Sequence, residues 1–428
     1  MSKQSNNKLF SHAILPLSLS LLSAAVQADG YHYDNILIGD RASGMGGAYT
    51  AVADDPSGLY YNPAGIVYTT GSNVSGSMNA FHITNATYKD VLGGNLDWKR
   101  ESSALLPNFF GVYQPFWKGK LGFSYAVLDS VQEDQDQTFN NINASVDEFT
   151  ININNQDTTY NIGPSFAMQA SDHLSVGLTL YGHMRTNQRI FNQVIFGTYD
   201  PGSGPVADEA WSNKYDELSE YGIRPVLGIM WSPLDTLSIG LNLNRTFVLS
   251  SSRKVQENYK CAENPDPAAQ PHASCVANDV IRVTSRSDAS AQYPFQTRLG
   301  LAYFPSPTLL LSGDMIFNSS TDDGKEAVIN LAFGGELYVT PQWALRAGLF
   351  TNKANTPTVE TGKTNQLDHV DMLGGSFSLT RFTRNSALTA GFSYAAGDGK
   401  AQVFPDDVTI YDVSTSSLTM FLSATYSY

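Results

Sequence analysis

Apolar and polar residues alternate with a period of two along most of the chain after about residue 72. The C-terminal segment shows this best, because one face is apolar and ends in aromatic residues while the other is mainly small and polar. The first face carries Leu418, Met420, Leu422, Ala424, Tyr426 and Tyr428, and the second carries Thr419, Phe421, Ser423, Thr425 and Ser427. This pattern predicts a β-strand with one apolar face, and aromatic residues at the end of that face are typical of transmembrane β-barrels.

The same alternation recurs in earlier segments. Their apolar positions are Leu174, Val176, Leu178 and Leu180; Leu237, Ile239, Leu241 and Leu243; Ile329, Leu331, Phe333 and Leu337; and Trp343, Leu345, Ala347 and Leu349. The intervening positions hold mainly Gly, Ser, Asn and an occasional Arg. A water-soluble barrel or sandwich could alternate in the same way, but small and polar intervening residues favour a polar lumen.

Two kinds of connection separate these segments. Short turns are predicted at Trp117–Lys120, Ser171–His173, Ser232–Asp235, Pro305–Pro307, Thr340–Gln342 and Thr383–Asn385, where Pro, Gly, Asn and Asp are common. Longer polar stretches, at Glu133–Thr158, Asn192–Asp216 and Ser251–Val280, are predicted to form loops at the opposite rim. Counting strand pairs predicts an all-β fold, a transmembrane antiparallel β-barrel of about 14 strands.

The N-terminus has the features of an export signal. Lys3 and Lys8 precede an apolar stretch from Ala13 to Ala25, and Val26-Gln27-Ala28 has the small-residue pattern of a cleavage site. We therefore expect residues 1–28 to be removed and the mature chain to begin at Asp29. An uncleaved anchor is the alternative, but the apolar stretch is short and contains Pro16.

Residues 39–67 fit no strand of a barrel wall. They are rich in Gly and Ala, contain the acidic pair Asp54-Asp55, and end in Asn62-Pro63-Ala64-Gly65. The segment has too few large side chains to form a core alone, yet it is too apolar for a linker. It is predicted to be a compact plug inside the barrel, which divides the chain into a signal (1–28), a plug (29–68) and a barrel (69–428).

Composition supports a membrane barrel and excludes some functions. Charged residues make up 15% of the chain, below the roughly 25% typical of soluble domains, and the mature chain has no apolar run of about 20 residues, as a transmembrane helix would require. The formal net charge of -14 argues against nucleic-acid binding, which needs a basic surface.

The chain contains two cysteines, Cys261 and Cys275, in one polar stretch. In an exported protein such a pair predicts a disulfide, with two free thiols as the alternative. A metal site is not expected, because the two cysteines and the nearby His272 make an incomplete ligand set.

Several motifs together resemble the FadL/TodX family of outer-membrane channels for long-chain fatty acids and aromatic hydrocarbons. They are Arg41–Tyr49, Ala53–Pro56 and Tyr61–Gly65 near the N-terminus, and Gly335–Tyr338 and Trp343–Gly348, followed by Asn352 and Pro357, late in the chain. The resemblance implies a 14-stranded barrel plugged by an N-terminal hatch. It also implies that hydrophobic molecules enter from outside and leave sideways through a gap in the wall, whose position no motif assigns.

The candidate gating residues lie in the plug. Gly44, Gly46 and Gly47 allow tight turns and close approach to the wall, and Asp54 and Asp55 are candidate ion-pair partners. The resemblance places the family's Asn-Pro-Ala motif at Asn62, Pro63 and Ala64, where Pro63 fixes its own φ and biases Asn62 to extended geometry. This motif is either a hinge that moves when ligand binds or a plain helix boundary that holds the plug.

Three arginines, Arg224, Arg298 and Arg346, fall on the lumen face of predicted strands near short turns. They are expected at the level of the plug, where pairing with Asp54 and Asp55 would seat it; solvated lumen arginines are the alternative. One of them could also hold the head group of a fatty carboxylate. Phe421 stands out on the lumen face of the last strand, where it either contacts ligand or packs against the plug.

The expected function is passive uptake of long-chain fatty acids or similar hydrophobic compounds, without cofactor, metal or catalysis. The mature histidines, His32, His82, His173, His183, His272 and His369, form no catalytic motif. A general porin and a barrel with a structural or adhesive role for its loops remain alternatives. The C-terminal Tyr428 predicts recognition by barrel-assembly machinery, and therefore a location in a Gram-negative outer membrane. There we expect the protein to contact outer-membrane lipid and lipopolysaccharide. We also expect a monomer that binds no nucleic acid.

Overall fold

The computed structural model describes residues 31–69, 71–264, 266, 269–271, 275–276, 280–288, 291–403 and 408–428. The predicted signal and the predicted mature start at Asp29 lie outside these residues. Three short helices precede the first strand: α1 (Asp40–Gly44), α2 (Gly58–Tyr61) and a 3₁₀ helix (Pro63–Tyr68). Among the described residues, no helix is long and apolar enough to cross a membrane.

All remaining regular structure is β-strand in one antiparallel sheet. The strands are β1 (Asn73–Tyr88), β2 (Trp98–Phe116), β3 (Gly119–Asn143), β4 (Val146–Ser171), β5 (Leu174–Tyr199), β6 (Val206–Leu234), β7 (Leu237–Asn244), β8 (Phe247–Lys260), β9 (Val280–Ser287), β10 (Gln296–Ser306), β11 (Leu309–Asn318), β12 (Val328–Thr340), β13 (Trp343–Asn352), β14 (His369–Val370), β15 (Met372–Phe382), β16 (Ser386–Ala401) and β17 (Tyr411–Ser427).

The sheet closes into a barrel of fourteen strands, because three wall strands are each interrupted once. β7 and β8 both pair with β6 and together form one wall strand. β10 pairs with β7 and β9 pairs with β8, so β9 and β10 together form the next wall strand. β14 and β15 both pair with β16 and form the third. β1 pairs with β17 from Asn73↔Ser427 to Tyr88↔Val413, which closes the cylinder. The even strand number and the closure agree with the prediction.

The outward face carries an apolar belt. Leu178, Leu180, Leu331 and Phe333 are 41–58% exposed, whereas their neighbours Thr179 and Ala332 are buried. On the last strand, Met420, Leu422 and Tyr426 are exposed and Thr419, Phe421 and Ser423 are buried. A closed barrel leaves no edge unpaired in lipid, so this belt makes the fold a transmembrane β-barrel, as predicted.

Two of the predicted polar loops are instead strands. Most of Glu133–Thr158 belongs to β3 and β4, which join at residues 144–145, and Asn192–Asp216 belongs to β5 and β6 apart from residues 200–205. Their outward residues are polar, which lowers the hydropathy, but their inward residues alternate as apolar positions. These inward residues form what we call the loop-end cluster, which includes Phe139, Val146, Phe149, Ile151, Ile153, Phe191 and Ile195.

Residues 31–69, which we call the plug segment, lie inside the turn end of the barrel. Met45 lies against Gly334 of β12 and Leu59 against Gly122 of β3, on different sides of the wall. The aromatic rings of Tyr49 and Tyr61 are buried, with centroids 5.7 Å apart. Eleven apolar residues of the segment are buried in one cluster with wall residues such as Phe109, Tyr181 and Met230. Its burial therefore depends on the surrounding strands as well as on its own side chains.

One boundary between neighbouring strands is incomplete. β2 pairs with β3 only from Phe109↔Ala126 to Phe116↔Gly119, although both strands continue far beyond this level. β3 has a bulge between Val127 and Asp129 in its pairing with β4, and Pro107 of β2 has no N–H to donate to a neighbour. We call the unpaired stretch, residues 103–108 of β2 and 127–131 of β3, the wall gap.

Above the wall gap the two strands are connected by side chains. Arg100 forms an ion pair with Glu133 at 2.7 Å, and the Ser102 hydroxyl accepts a hydrogen bond from the Gln132 amide at 2.8 Å. The gap is therefore bounded by backbone pairing below and by side-chain contacts above.

Candidate functional site

A buried ion-pair network joins α1 to the barrel wall. The Arg41 guanidinium donates to both carboxylate oxygens of Glu336 on β12, at 2.7 and 2.8 Å, and also pairs with Asp54. Glu336 in turn accepts a hydrogen bond from Arg346 Nε on β13 at 2.5 Å. Burial alone lowers the pKa of Arg41, but Asp54 and Glu336 more than offset this and raise it, so the guanidinium stays charged.

The predicted arginines contact the plug segment, but not through the predicted partners. Arg346 reaches Asp54 only through Glu336 and Arg41, and Arg298 pairs with Asp34 while lying 5.5 Å from the ring of Tyr61. Direct pairing with Asp54 and Asp55 was therefore wrong. The physical reason is that Glu336, the cross-strand neighbour of Arg346 on the same wall face, pairs with Arg346. Asp54 pairs instead with Arg41.

Arg224 contacts the plug segment through an aromatic ring and not through an ion pair. Its guanidinium donates to Asn244 at 2.9 Å and lies 5.5 Å from the ring centroid of Tyr60. It thus contributes a cation–π contact to the plug segment.

Asp55 serves as a local turn acceptor. Its Oδ1 accepts hydrogen bonds from the Ser57 amide at 2.8 Å and the Ser57 hydroxyl at 2.5 Å. Burial, and secondarily the nearby Asp40 carboxylate, raise the pKa of Asp55 to about 6. The surroundings of Asp55 therefore favour its neutral form.

The Asn62-Pro63-Ala64 motif connects plug to wall. The Asn62 side chain donates to the carbonyl oxygens of Thr50, at 2.8 Å, and Ile229 of β6, at 3.0 Å, and accepts from the Ala64 amide at 3.2 Å. Pro63 occupies the first turn of the 3₁₀ helix, where its missing N–H costs nothing. The motif is both a helix start and a point of attachment.

Close backbone contact depends on glycines on both partners. Gly46 has φ +65° and a Cβ there would lie 3.2 Å from the backbone of Gly348 on β13. A Cβ at Gly44 would lie 2.1 Å from Ser378 Oγ, and Gly47 also has a positive φ of +82°. Side chains at Gly44 or Gly46 would push α1 away from the wall, whereas a side chain at Gly47 would meet Leu37 within the plug segment.

The wall also binds the plug backbone through inward polar side chains that the sequence did not identify as site residues. Asp314 of β11 accepts hydrogen bonds from the amides of Tyr49 and Thr50 at 3.1 and 2.9 Å. Further donors to plug carbonyl oxygens are Ser175, Thr179, Tyr181, Asn242 and Ser376. Their polar, inward positions were visible in the alternation, but only the fold shows that plug backbone lies opposite them.

Phe421 is 2% exposed and faces Gly391, its cross-strand partner on β16. A Cβ on Gly391 would lie 2.4 Å from the Phe421 ring, so the ring covers the glycine. Phe421 lines neither of the two cavities described next.

The first of these, the front cavity, lies between the start of the plug segment and strands on both sides of the wall gap. Its apolar lining includes Leu37, Ala86, Val131, Val370, Met372 and Ala395, and its polar lining includes Arg100, Asp129 and Glu133. An apolar wall with a few polar groups suits a hydrophobic or amphipathic small molecule.

The second, the basic cavity, shares His32, Asn35 and Asp129 with the front cavity. Its lining adds His183, Arg185, Arg224 and Lys325, although Arg185 is paired with Asp157 at 2.8 Å. The lumen therefore places a mostly apolar space beside a cationic one.

The plug segment bonds to both strands that border the wall gap. Asn35 donates to Asp129 of β3 at 3.1 Å, and the carbonyl oxygen of Leu37 accepts from Asn108 of β2 at 3.1 Å. Asn35 and Leu37 also line the front cavity. Residues 35–37 thus stand between the front cavity and the gap.

Comparison with solved structures identifies the fold. The chain superposes on a FadL homologue of Pseudomonas aeruginosa with a TM-score of 0.60, 14% identity, and 91% and 98% of the two chains covered. For the P. putida toluene transporter TodX the values are 0.64, 12%, 94% and 99%, and for the Ralstonia pickettii toluene transporter TbuX they are 0.60, 13%, 91% and 98%. The chain has the FadL/TodX fold.

At this identity the likeness concerns architecture, and it agrees with the predicted plugged 14-strand barrel. No protein-family model and no curated protein matches the sequence.

The predicted disulfide is confirmed: Cys261 and Cys275 are bonded, with Cα atoms 5.5 Å apart.

Proposed function

We propose that this chain is an outer-membrane channel for passive uptake of long-chain fatty acids or similar hydrophobic compounds. Ligand collects in the front cavity, the plug segment acts as the hatch, and the wall gap is the lateral exit into the membrane. The observation that carries the proposal is the position of residues 35–37, bonded through Asn35 and Leu37 to the two strands that border the gap.

The lumen chemistry supports an amphipathic ligand. The apolar residues of the front cavity suit a hydrocarbon tail, and the adjoining basic cavity offers Lys325 and Arg224 near a shared boundary. A carboxylate head group gains charge-assisted hydrogen bonds from such cations. A neutral aromatic hydrocarbon would use the apolar space alone.

The structure of the wall supports an exit through the wall gap. A hydrophobic ligand that left through the turn end would have to pass the buried Arg41–Glu336–Arg346 network and then enter water. Movement of residues 35–37 breaks the hydrogen bonds that join Asn35 and Leu37 to the gap strands, each worth about 1 kcal/mol. The ligand then meets the apolar outward face, where Leu105 is 66% exposed.

The test is uptake in Gram-negative cells whose own hydrophobic-compound channel is deleted and which express this chain. Labelled oleate and labelled toluene are supplied in parallel, and folded barrel is quantified by its heat-dependent gel mobility. We expect oleate uptake above the empty-vector control. Toluene uptake alone would assign a neutral hydrocarbon, and uptake of neither with folded protein present would contradict the channel.

A further inference from the structure

Above the apolar belt, the outward faces of two groups of strands differ in charge. Residues 132–158, in the β3–β4 hairpin, contain no Lys or Arg, and their outward positions include Asp134, Asp136 and Glu148. The β8–β9 hairpin instead carries Lys254, Arg282 and Arg286. In a chain with a formal net charge of -14, this concentration of cations stands apart.

Strand pairing places these cations on one face. Lys254 is the cross-strand partner of Arg286, and Asn258 that of Arg282, while the alternate residues Glu257 and Tyr259 are buried toward the lumen. Lys254 Nζ lies 5.5 Å from the ring of Tyr215 on β6. Arg282 and Arg286 are exposed, so all three point away from the barrel interior.

The patch continues upward from the lipid-facing belt. On β6 and β8 the belt ends at Tyr221, Ile223, Phe247 and Leu249, which are 39–71% exposed. Lys254 follows Leu249 by five residues, which is roughly 17 Å along a strand.

Nearby acids do not cancel the patch. Among the described residues of this face, the acids are Glu217, the cross-strand partner of Lys254, and Asp288, which follows β9, so three cations face two carboxylates. Lys260 is already paired with Glu209 at 2.9 Å and is not counted. The exposed surface therefore keeps a net positive charge beside the aromatic rings of Tyr215 and Trp211.

We propose that the basic patch, formed by Lys254, Arg282 and Arg286, binds the phosphorylated saccharide head group of the glycolipid in the outer leaflet. The location rests on the proposed outer-membrane function. Arg binds phosphate oxygens in bidentate geometry and Lys binds them as a point charge, and basic clusters at the membrane surface recognise anionic lipid heads. Tyr215 and Trp211 offer flat apolar surfaces to sugar rings.

The test uses the detergent-solubilised full barrel titrated with rough-type lipopolysaccharide that retains its lipid A phosphates, with EDTA present to remove bridging cations. Bound lipid is quantified by native mass spectrometry. The variant is K254E/R282E/R286E, and the matched control is K89E/K363E/K400E, which makes the same charge change at exposed lysines elsewhere at the loop end. We expect about a tenfold or greater loss of affinity in the variant, or ~1.4 kcal/mol, and no comparable loss in the control.

Dephosphorylated lipopolysaccharide should bind the wild-type barrel as weakly as the intact lipid binds the variant. If the triple variant does not fold, R282Q/R286Q on the exposed strand β9 gives the same test with smaller changes. Equal binding by variant and wild type, or equal binding of the two lipids, would overturn the proposal. Oleate uptake should be unchanged in the variant, so a failure of the channel proposal and a failure of this one are distinguishable.

Discussion

The two ends of the lumen are filled by different interactions. At the turn end, wall side chains such as Asp314 and Asn242 bind the backbone of the plug segment, and Glu336 anchors α1 through Arg41. At the loop end, Phe149, Ile151 and other apolar residues of tall strands pack on one another. Water can replace a polar contact to backbone when a segment moves, whereas separated apolar side chains lose their buried area. The turn end is thus held by polar contacts to the plug backbone together with apolar packing, and the loop end mainly by apolar packing.

Loss of the central carboxylate should break the turn end most severely. In Glu336→Gln, Arg41 keeps Asp54, but Arg346 remains buried without a carboxylate, and removal of one member of a buried ion pair costs about 3–5 kcal/mol. We expect hydrogen exchange of the amides of residues 40–54 to accelerate by at least a hundredfold. Glu257→Gln, at a buried glutamate of the loop end, should leave this exchange unchanged; equal effects would contradict the network's role.

The converse experiment targets the loop-end cluster. Phe149 is 2% exposed, and Phe149→Ala should cost about 3–4 kcal/mol of local stability through the lost burial and the cavity. The tips of β3, β4 and β5 should become sensitive to protease. Plug amides should exchange at the wild-type rate, and faster plug exchange would show that the two ends are coupled.

A smaller effect is expected at a single wall acceptor. Both amides, of Tyr49 and Thr50, donate to Oδ2 of Asp314. Asp314→Asn can keep an oxygen at that position, but a neutral acceptor forms weaker hydrogen bonds than a carboxylate, at a cost of about 1–2 kcal/mol. Exchange of these two amides should rise roughly tenfold, with residues 58–68 unaffected. Unchanged exchange at Tyr49 and Thr50 would mean that other contacts hold this turn.

The smallest effect concerns pH. Because the pKa of Asp55 is raised to about 6 from an ordinary 3.8, the folded plug favours its neutral form. Plug stability should therefore rise as pH falls from 7 through 6 toward 4, by on the order of 1–2 kcal/mol. In Asp55→Asn, exchange of the Ser57 and Gly58 amides should lose most of this dependence; an unaltered pH profile would exclude Asp55 as its source.

The sequence predicted the architecture because strand alternation, short turns and the plug's composition are local patterns. It missed the height of β3 to β6, since polar residues on their outward faces hide the apolar inward series of Phe149, Ile151 and Ile153. It also misassigned the partners of Arg346 and Arg298. Those partners, Glu336 and Asp34, depend on strand register and on where the plug lies, and neither can be read from spacing along the chain.

The wall gap is a second feature that could not be predicted from the sequence. Pro107 was visible in the sequence, but the end of pairing at Phe109↔Ala126 is a property of two strands. The contacts of Asn35 and Leu37 with those strands join residues 71 to 94 positions apart, so no local pattern could indicate them.

The most direct test of the proposed exit is a tether between plug and wall. Asn35→Cys/Asp129→Cys places a thiol pair where the two side chains now share a hydrogen bond of 3.1 Å, and uptake of labelled oleate is measured after oxidation and again after reduction. Each single-cysteine variant, treated in parallel, controls for the native Cys261–Cys275 bond. If residues 35–37 must move to open the wall gap, oxidation should abolish uptake in the double variant alone and reduction should restore it. Full uptake through the cross-linked protein would contradict that route.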